Sequence, residues 1–133
     1  MTRLREMIQK ARKRVATMPP EEVRDALEGR EIDLIVDVRE SEEFARGHVP
    51  GAVHLPRGWL EIHADPDSPL ANSALTENKN ARIVAYCWQA PGARQLLSAA
   101  TLKEMGYTNV MVMEGGLKEW KEQGLPIETR AEV

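Results

Sequence analysis

Cysteine is nearly absent from this sequence: the 133 residues hold one, Cys87. A single thiol excludes a disulfide within the chain and a zinc site built from several cysteines. No stretch approaches the roughly 20 consecutive apolar residues of a membrane-spanning helix, so no membrane span is expected. A surplus of positive charge is missing too. The 18 Lys and Arg face 21 Asp and Glu, a formal net charge of −3, which gives no general case for nucleic-acid binding. Internal repeats and low-complexity linkers are also lacking. What is present is ordinary for a folded chain: 42% hydrophobic and 29% charged residues, which rules out a disordered or collagen-like polymer. The length suits a single domain whose core buries roughly 65–70% of the unfolded surface.

Charge is unevenly spread. Between Thr2 and Thr17, Arg3, Arg5, Lys10, Arg12, Lys13 and Arg14 face one acid, Glu6. This segment therefore carries a formal charge of about +5 and the remainder about −8. Leu4, Met7, Ile8, Ala11 and Val15 recur three or four apart, the spacing of an amphipathic helix. Three roles compete for it: packing on its own domain or a second subunit, contact with an anionic surface or partner, and organellar targeting. Packing is the favoured expectation. Pro19-Pro20 stops this helix, and Pro20 can open the next, with Glu21 and Glu22 in a first turn that favours acids. Gly29 ends it.

Asp33–Val38, Arg82–Cys87 and Asn109–Met113 are short apolar runs rich in β-branched residues, and Ala52–Leu55 is a shorter one. Such runs predict strands covered on both faces, as in parallel sheets. Helical segments lie between them. One begins at Ser41, expected as its N-cap, and stops at Gly47. The other runs from Pro91 to Met105, with Gly106 as its stop. Ala64 to Asn80, with its Pro, Asp and Asn residues, reads as a surface excursion. Strands alternating with helices predict an α/β fold with a mainly parallel sheet.

In such sheets the usable crevice lies beyond the carboxyl ends of the strands. Cys87 closes its strand and is followed by Trp88-Gln89-Ala90-Pro91-Gly92-Ala93-Arg94 and a long helix. Backbone N–H groups at a helix start have no partner within the helix and favour an anion placed before them. A free thiol with a pKa near 8.5 is only about 3% thiolate at pH 7, and a shift of two units takes about 2.7 kcal/mol. A helix start, Arg94 and a glycine-bearing loop that turns amides inward are sources for that amount. A lone cysteine at a strand end is more often a small buried apolar residue; the strand, cysteine, glycine loop, arginine and helix in succession reverse that expectation.

Asp37-Val38-Arg39-Glu40, with Glu43-Phe44-Ala45-Arg46-Gly47-His48-Val49-Pro50-Gly51-Ala52-Val53-His54-Leu55-Pro56, resembles the first signature of the rhodanese-like family. Tyr86-Cys87, then Arg94 and Leu102-Lys103-Glu104-Met105-Gly106-Tyr107, resembles its active-site loop and following helix. Met113-Glu114-Gly115-Gly116-Leu117-Lys118-Glu119-Trp120 with Gly124-Leu125-Pro126 is similar to its closing signature. The resemblance implies a five-stranded, mainly parallel sheet flanked by helices on both faces. It covers 18–128 as a rhodanese-like domain, preceded by the basic amphipathic helix at 1–17 and followed by a tail at 129–133.

The resemblance also implies a sulfurtransferase. Cys87 would attack the outer sulfur of thiosulfate or a similar donor, become a persulfide, and pass that sulfur to cyanide or a thiol. Arg94, Trp88, Gln89, Ala90, Gly92 and Ala93 would bind substrate. Asp37 and Arg39 would brace the framework with His48 and Gly51. No metal or organic cofactor is implied, and a cytoplasmic location is expected. A homodimer or a protein partner could use the N-terminal helix. Six residues separate Cys87 from Arg94, more than the family's usual loop. Related cell-cycle phosphatases also use a shorter loop, often with a His where Tyr86 stands. A non-catalytic sulfur-relay or binding module is the alternative, and a Cys-based phosphatase or arsenate reductase a weaker one.

The remaining polar residues are read as framework. Trp88 either lines the pocket mouth or simply covers the loop. His48 and His54 are expected to be hydrogen-bonded rather than ligands. Glu61, His63 and Asp65 alternate as metal ligands can, but are expected to face solvent. Trp120 and the methionines Met111 and Met113 are expected in the core.

Overall fold

The apolar runs become strands because their side chains alternate between two covered faces. The structure, a computed structural model, describes residues 1–129; the expected tail at 129–133 lies, beyond Thr129, outside the described residues. In chain order the elements are α1 (Leu4–Arg14), β1 (Ala16–Met18), α2 (Pro20–Glu28), β2 (Leu34–Asp37), α3 (Ser41–Arg46) and β3 (Val53–His54). A 3-10 turn (Arg57–Trp59) leads into α4 (Leu60–Ala64) and α5 (Ser73–Thr76). Then come β4 (Arg82–Tyr86), α6 (Ala93–Glu104), β5 (Asn109–Met113) and α7 (Gly116–Glu122). The five strands form one sheet in the order β1-β5-β4-β2-β3, every pair parallel.

Period-two alternation sorts the strand residues into two cores. Val36, Ile83, Ala85, Cys87, Val110 and Val112 join Ile8, Ala11, Leu96, Ala99 and Leu102 on the face covered by α1 and α6. Ile35, Val84, Tyr86 and Met113 join Val23, Leu117 and Trp120 on the face covered by α2 and α7. Full burial of a Leu, Val or Phe side chain stabilises by roughly 1.5–3 kcal/mol, so both faces are needed to hold strands this short. Cys87 and Tyr86, adjacent in sequence, point to opposite sides of the sheet.

Three local expectations are corrected. Ser41 is the first residue of α3, not its cap: Glu40 caps it, in a reciprocal box with Glu43, whose carboxylate accepts from the Glu40 N–H at 3.2 Å. The long helix starts at Ala93 rather than Pro91, because Gly92 at φ 75° holds the chain left-handed there. The stretch from Ala64 to Asn80 is not only a surface excursion: α5 lies within it, capped by Asn72, and Leu75 is fully buried.

β1 lies where no strand was expected. It is a three-residue edge strand with two exposed residues, so no apolar run marks it. Of the three roles weighed for the N-terminal segment, the structure shows packing on its own domain. Ile8 and Ala11 of α1 are buried among the side chains of α6. Lys103 of α6 donates to the Arg14 carbonyl at 2.8 Å.

Candidate active site

Cys87 is the first residue beyond β4, the central strand, at its carboxyl edge. It is 3% exposed. The loop from Trp88 to Gly92 turns back on itself through a Gly92 N–H to Gln89 carbonyl bond of 3.0 Å and delivers the chain into α6. Gln89, Ala90 and Pro91 are exposed, Trp88 and Ala93 half-buried, and Gly92 buried. The loop is held from outside at two points. Arg12 of α1 donates to the Pro91 carbonyl at 2.9 Å. The first amides of α7 grip its base: Leu117 N–H bonds the Cys87 carbonyl at 2.9 Å and Lys118 N–H the Trp88 carbonyl at 2.8 Å.

That grip requires glycine at Gly116. Its φ is 62°, and a Cβ there would stand 2.6 Å from the Trp88 carbonyl oxygen and 2.7 Å from that of Cys87. Both obstacles are backbone, so the helix start can come this close only without a side chain.

Burial pushes the Cys87 thiol pKa up. The backbone N–H of Gln95, the Arg94 charge and the backbone N–H groups of Trp88 and Gln89 oppose that shift, but burial prevails. The expected net lowering is therefore not what this geometry produces at rest. Arg94 is the reason its own contribution is weak. Its guanidinium donates to both carboxylate oxygens of Glu43, at 2.7 and 3.2 Å. That pairing holds the Glu43 carboxyl below its ordinary range, against burial, and spends much of the positive charge on a fixed acid.

Behind Glu43 lies a buried ion pair. Arg39 Nη2 meets Asp37 Oδ2 at 2.8 Å and also donates to the Gly47 carbonyl at 2.7 Å. Two histidines stack on Phe44, with ring centroids 3.8 Å away for His48 and 4.5 Å for His54. His48 Nδ1 lies 2.8 Å from the Phe44 carbonyl, and His54 Nε2 lies 2.7 Å from that of Arg39. Gly51 stands apart from this framework at a left-handed turn, φ 80°. Tyr86 accepts the Val49 N–H on its hydroxyl at 3.0 Å. Glu61 pairs with Arg57 at 2.9 Å and His63 Nδ1 lies 2.9 Å from the Leu70 carbonyl, so each has a protein partner.

A cavity of about 260 Å³ opens between this framework and the loop, lined by Arg39, Glu43, Arg46, Gly47, Trp88, Leu117 and Lys121. The Lys121 ammonium lies 5.9 Å from the Trp88 ring centre. Among the described residues, neither Arg46 nor Lys121 makes an ion pair.

The structure thus places Trp88, Gln89, Ala90 and Gly92 in the loop that follows Cys87 and Ala93 and Arg94 in the first turn of α6. Sequence reasoning did not single out Gln95, Glu43 or Gly116. Gln95 carried a usable signal. With Ser98, Ala99 and Leu102 it falls on the buried stripe of α6, and a glutamine on an apolar stripe needs internal partners.

A family model described as the rhodanese-like domain matches residues 19–123. The thiosulfate sulfurtransferase GlpE of Haemophilus influenzae is 34% identical over 99 residues, covering 72% of this chain and 80% of that protein. A Bacillus subtilis relative, provisionally named the sulfur carrier protein YrkF, is 34% identical over 86 residues; these cover 65% of this chain and only 40% of the relative. Among solved structures, a Rhodopseudomonas palustris protein of unknown function, described as a possible tyrosine phosphatase, superposes with a TM-score of 0.87. It is 33% identical, with 96% of each chain covered. With its motifs in order on a five-stranded parallel sheet, and with sulfurtransferases among its relatives, this chain belongs to the rhodanese-like domain family.

Proposed function

We propose that this protein transfers sulfane sulfur through a persulfide on Cys87. The observation that carries the reading is the setting of that sulfur. It stands at the carboxyl edge of the central strand, just before the first turn of α6, where the backbone N–H groups of Gln95, Trp88 and Gln89 and the Arg94 charge favour its anion against burial. Such donors favour an anionic sulfur over a neutral one.

The Cys87 thiolate attacks the outer sulfur of thiosulfate. A new sulfur–sulfur bond forms at Sγ, the donor's own breaks, and sulfite leaves with the electron pair. The resulting persulfide anion is then attacked at its outer sulfur by cyanide or a thiolate. Thiocyanate or an acceptor persulfide departs and the Cys87 thiolate returns. Charge and atoms balance at each step without a metal or an organic cofactor. Arg46 and Lys121, which line the same cavity as Trp88, draw an anionic donor to the loop. Asp37, Arg39 and His48 hold the framework, and Trp88, Gln89, Ala90, Gly92 and Ala93 with Arg94 line the donor's path. A cytoplasmic location belongs to the same reading.

Intact mass after thiosulfate treatment tests it. The expected result is a gain of one sulfur atom that reduction removes and Cys87→Ser abolishes. A Cys87 that stays unmodified overturns the reading. The sulfur-carrier relative favours a second version, in which the acceptor is a protein thiol and the N-terminal helix contributes to docking. The phosphatase alternative has the description of the palustris protein in its favour, but the Arg94 charge is already committed to Glu43. Turnover of an aryl phosphate that vanishes in Cys87→Ser would favour it instead.

A further inference from the structure

Gln95 is the residue of α6 whose side chain meets Cys87. It is 4% exposed. Its Nε2 donates to the Met113 carbonyl at 3.0 Å. Its Oε1 accepts the Cys87 backbone N–H at 3.1 Å and the Cys87 thiol proton across 3.8 Å. These partners fix which way the carboxamide points. Turned over, its NH₂ would face the Cys87 N–H and its oxygen the Met113 carbonyl, donor against donor and acceptor against acceptor. Gly92 leaves room for this arrangement, since a Cβ there would lie 2.8 Å from Gln95 Nε2.

A carboxamide oxygen only accepts. It stabilises the thiol and repels a thiolate or a persulfide anion. The opposite preference comes from the backbone N–H groups of Gln95, Trp88 and Gln89, with Arg94 of α6 as the charged group acting on the sulfur. Glu43 of α3, hydrogen-bonded to Arg94, and Asp37 of β2 are the acids that act on that guanidinium. The sulfur therefore has one set of partners when protonated and another when anionic.

Given Cys87 as the sulfur-carrying nucleophile, we propose that Gln95 is a positioning residue that holds it at rest as a protonated thiol. The anionic sulfur then forms only by turning from the Gln95 side-chain oxygen to the loop amides. In that step the S–H bond breaks, its proton passes to water, and the electron pair stays on Sγ, which rotates about the Cα–Cβ bond. At rest the chain's one thiol is thereby kept in its less reactive form.

The single cysteine makes the test clean, because iodoacetamide alkylation reads Cys87 alone. Its rate is measured against pH for the full chain, Gln95→Met and Gln95→Glu. Gln95→Met removes the acceptor, and at pH 7 it is expected to react roughly 3-fold faster or more. Gln95→Glu places a carboxylate beside the sulfur, and is expected to react roughly 10-fold slower, as a one-unit shift of the midpoint requires. Midpoints unchanged in both variants, with unchanged melting temperatures, overturn the proposal.

Should a variant fail to fold, the unsubstituted protein still decides. The Gln95 carboxamide NMR signals are expected to move with the Cys87 titration, and a carboxamide silent through it overturns the proposal. Neither readout needs sulfur transfer. A failed persulfide measurement counts against the function of Cys87, and an unmoved pH profile against Gln95.

Discussion

Arg94 and Glu43 sit 51 positions apart in the chain, yet their pairing sets how much positive charge reaches the sulfur. In Glu43→Gln the guanidinium loses its charged partner and its field at Cys87 goes uncompensated. Alkylation of Cys87 at neutral pH is then expected to quicken roughly 3-fold, about half a pKa unit, and, under the proposed sulfur transfer, the KM for thiosulfate to fall. An unchanged alkylation profile would show that Arg94 acts on neither. The pair also carries a pH signature. Because Arg94 lowers the Glu43 pKa below 4.5, its stabilising effect is present above that value and is lost as pH falls through the depressed one. Both side chains are about one-third exposed, so solvent screens this contribution. Asp37 and Arg39 differ in that both are buried. Asp37→Ala strands a guanidinium in the core and is expected to cost about 3–5 kcal/mol in urea unfolding. A loss below about 1 kcal/mol would contradict an intact buried pair.

Helix α7 acts on the site through its first turn, and Gly116 is the residue that permits it. Gly116→Ala drives a Cβ against two backbone carbonyls at a φ of 62°. The expected outcome is a loss of about 1–3 kcal/mol, the cost of such a strained position, together, under the proposed sulfur transfer, with slower persulfide formation as the Cys87–Trp88 segment shifts. An ordinary surface Gly→Ala response, neutral in both stability and rate, would contradict this picture. The elements that carry the site were largely legible beforehand. β4, α6 and β5 follow from apolar runs, β-branched residues and glycine stops. β1 was not, because a short edge strand with exposed side chains carries no hydrophobic signal; its pairing with β5 supplies it. The first signature marked Glu43 as part of a motif, but its partner could not be read, since a carboxylate on a helix start is equally at home in solvent.

Over the whole molecule, charge is divided between a basic N-terminal helix and an acidic remainder, and the structure joins the two. Arg12 reaches the loop after Cys87 and Lys103 the end of α1. Alkaline pH probes the molecule as a unit. Burial, then the nearby Asp37 carboxylate, pushes Tyr86 far above the ordinary phenol value of 10.0, and burial also raises Tyr107 and Cys87. A group whose folded pKa is raised stabilises fully below its unfolded pKa and loses that contribution as pH rises toward the folded one. The melting temperature is therefore expected to fall steadily above about pH 9–10, where unfolded thiols and phenols ionise. Tyr86→Phe should flatten that fall while lowering stability at pH 7, where the Val49 N–H loses its acceptor. A melting temperature flat through pH 11 would refute the assignment.

The sequence by itself determined the alternation of strand and helix, the family motifs and the place of Cys87 at a strand's carboxyl end. All of these are local: they depend on residue type and on spacings of two, three or four along the chain. Only the tertiary structure decided that the cysteine's nearest side-chain partner is the Gln95 carboxamide, that Arg94 is shared with Glu43, and that α7 holds the loop from below. The first spans eight positions across a loop, and the others join segments about 30 and 51 positions apart. Their geometry depends on how α3, α6 and α7 meet the carboxyl edge of one sheet, and no periodicity in the chain encodes that meeting.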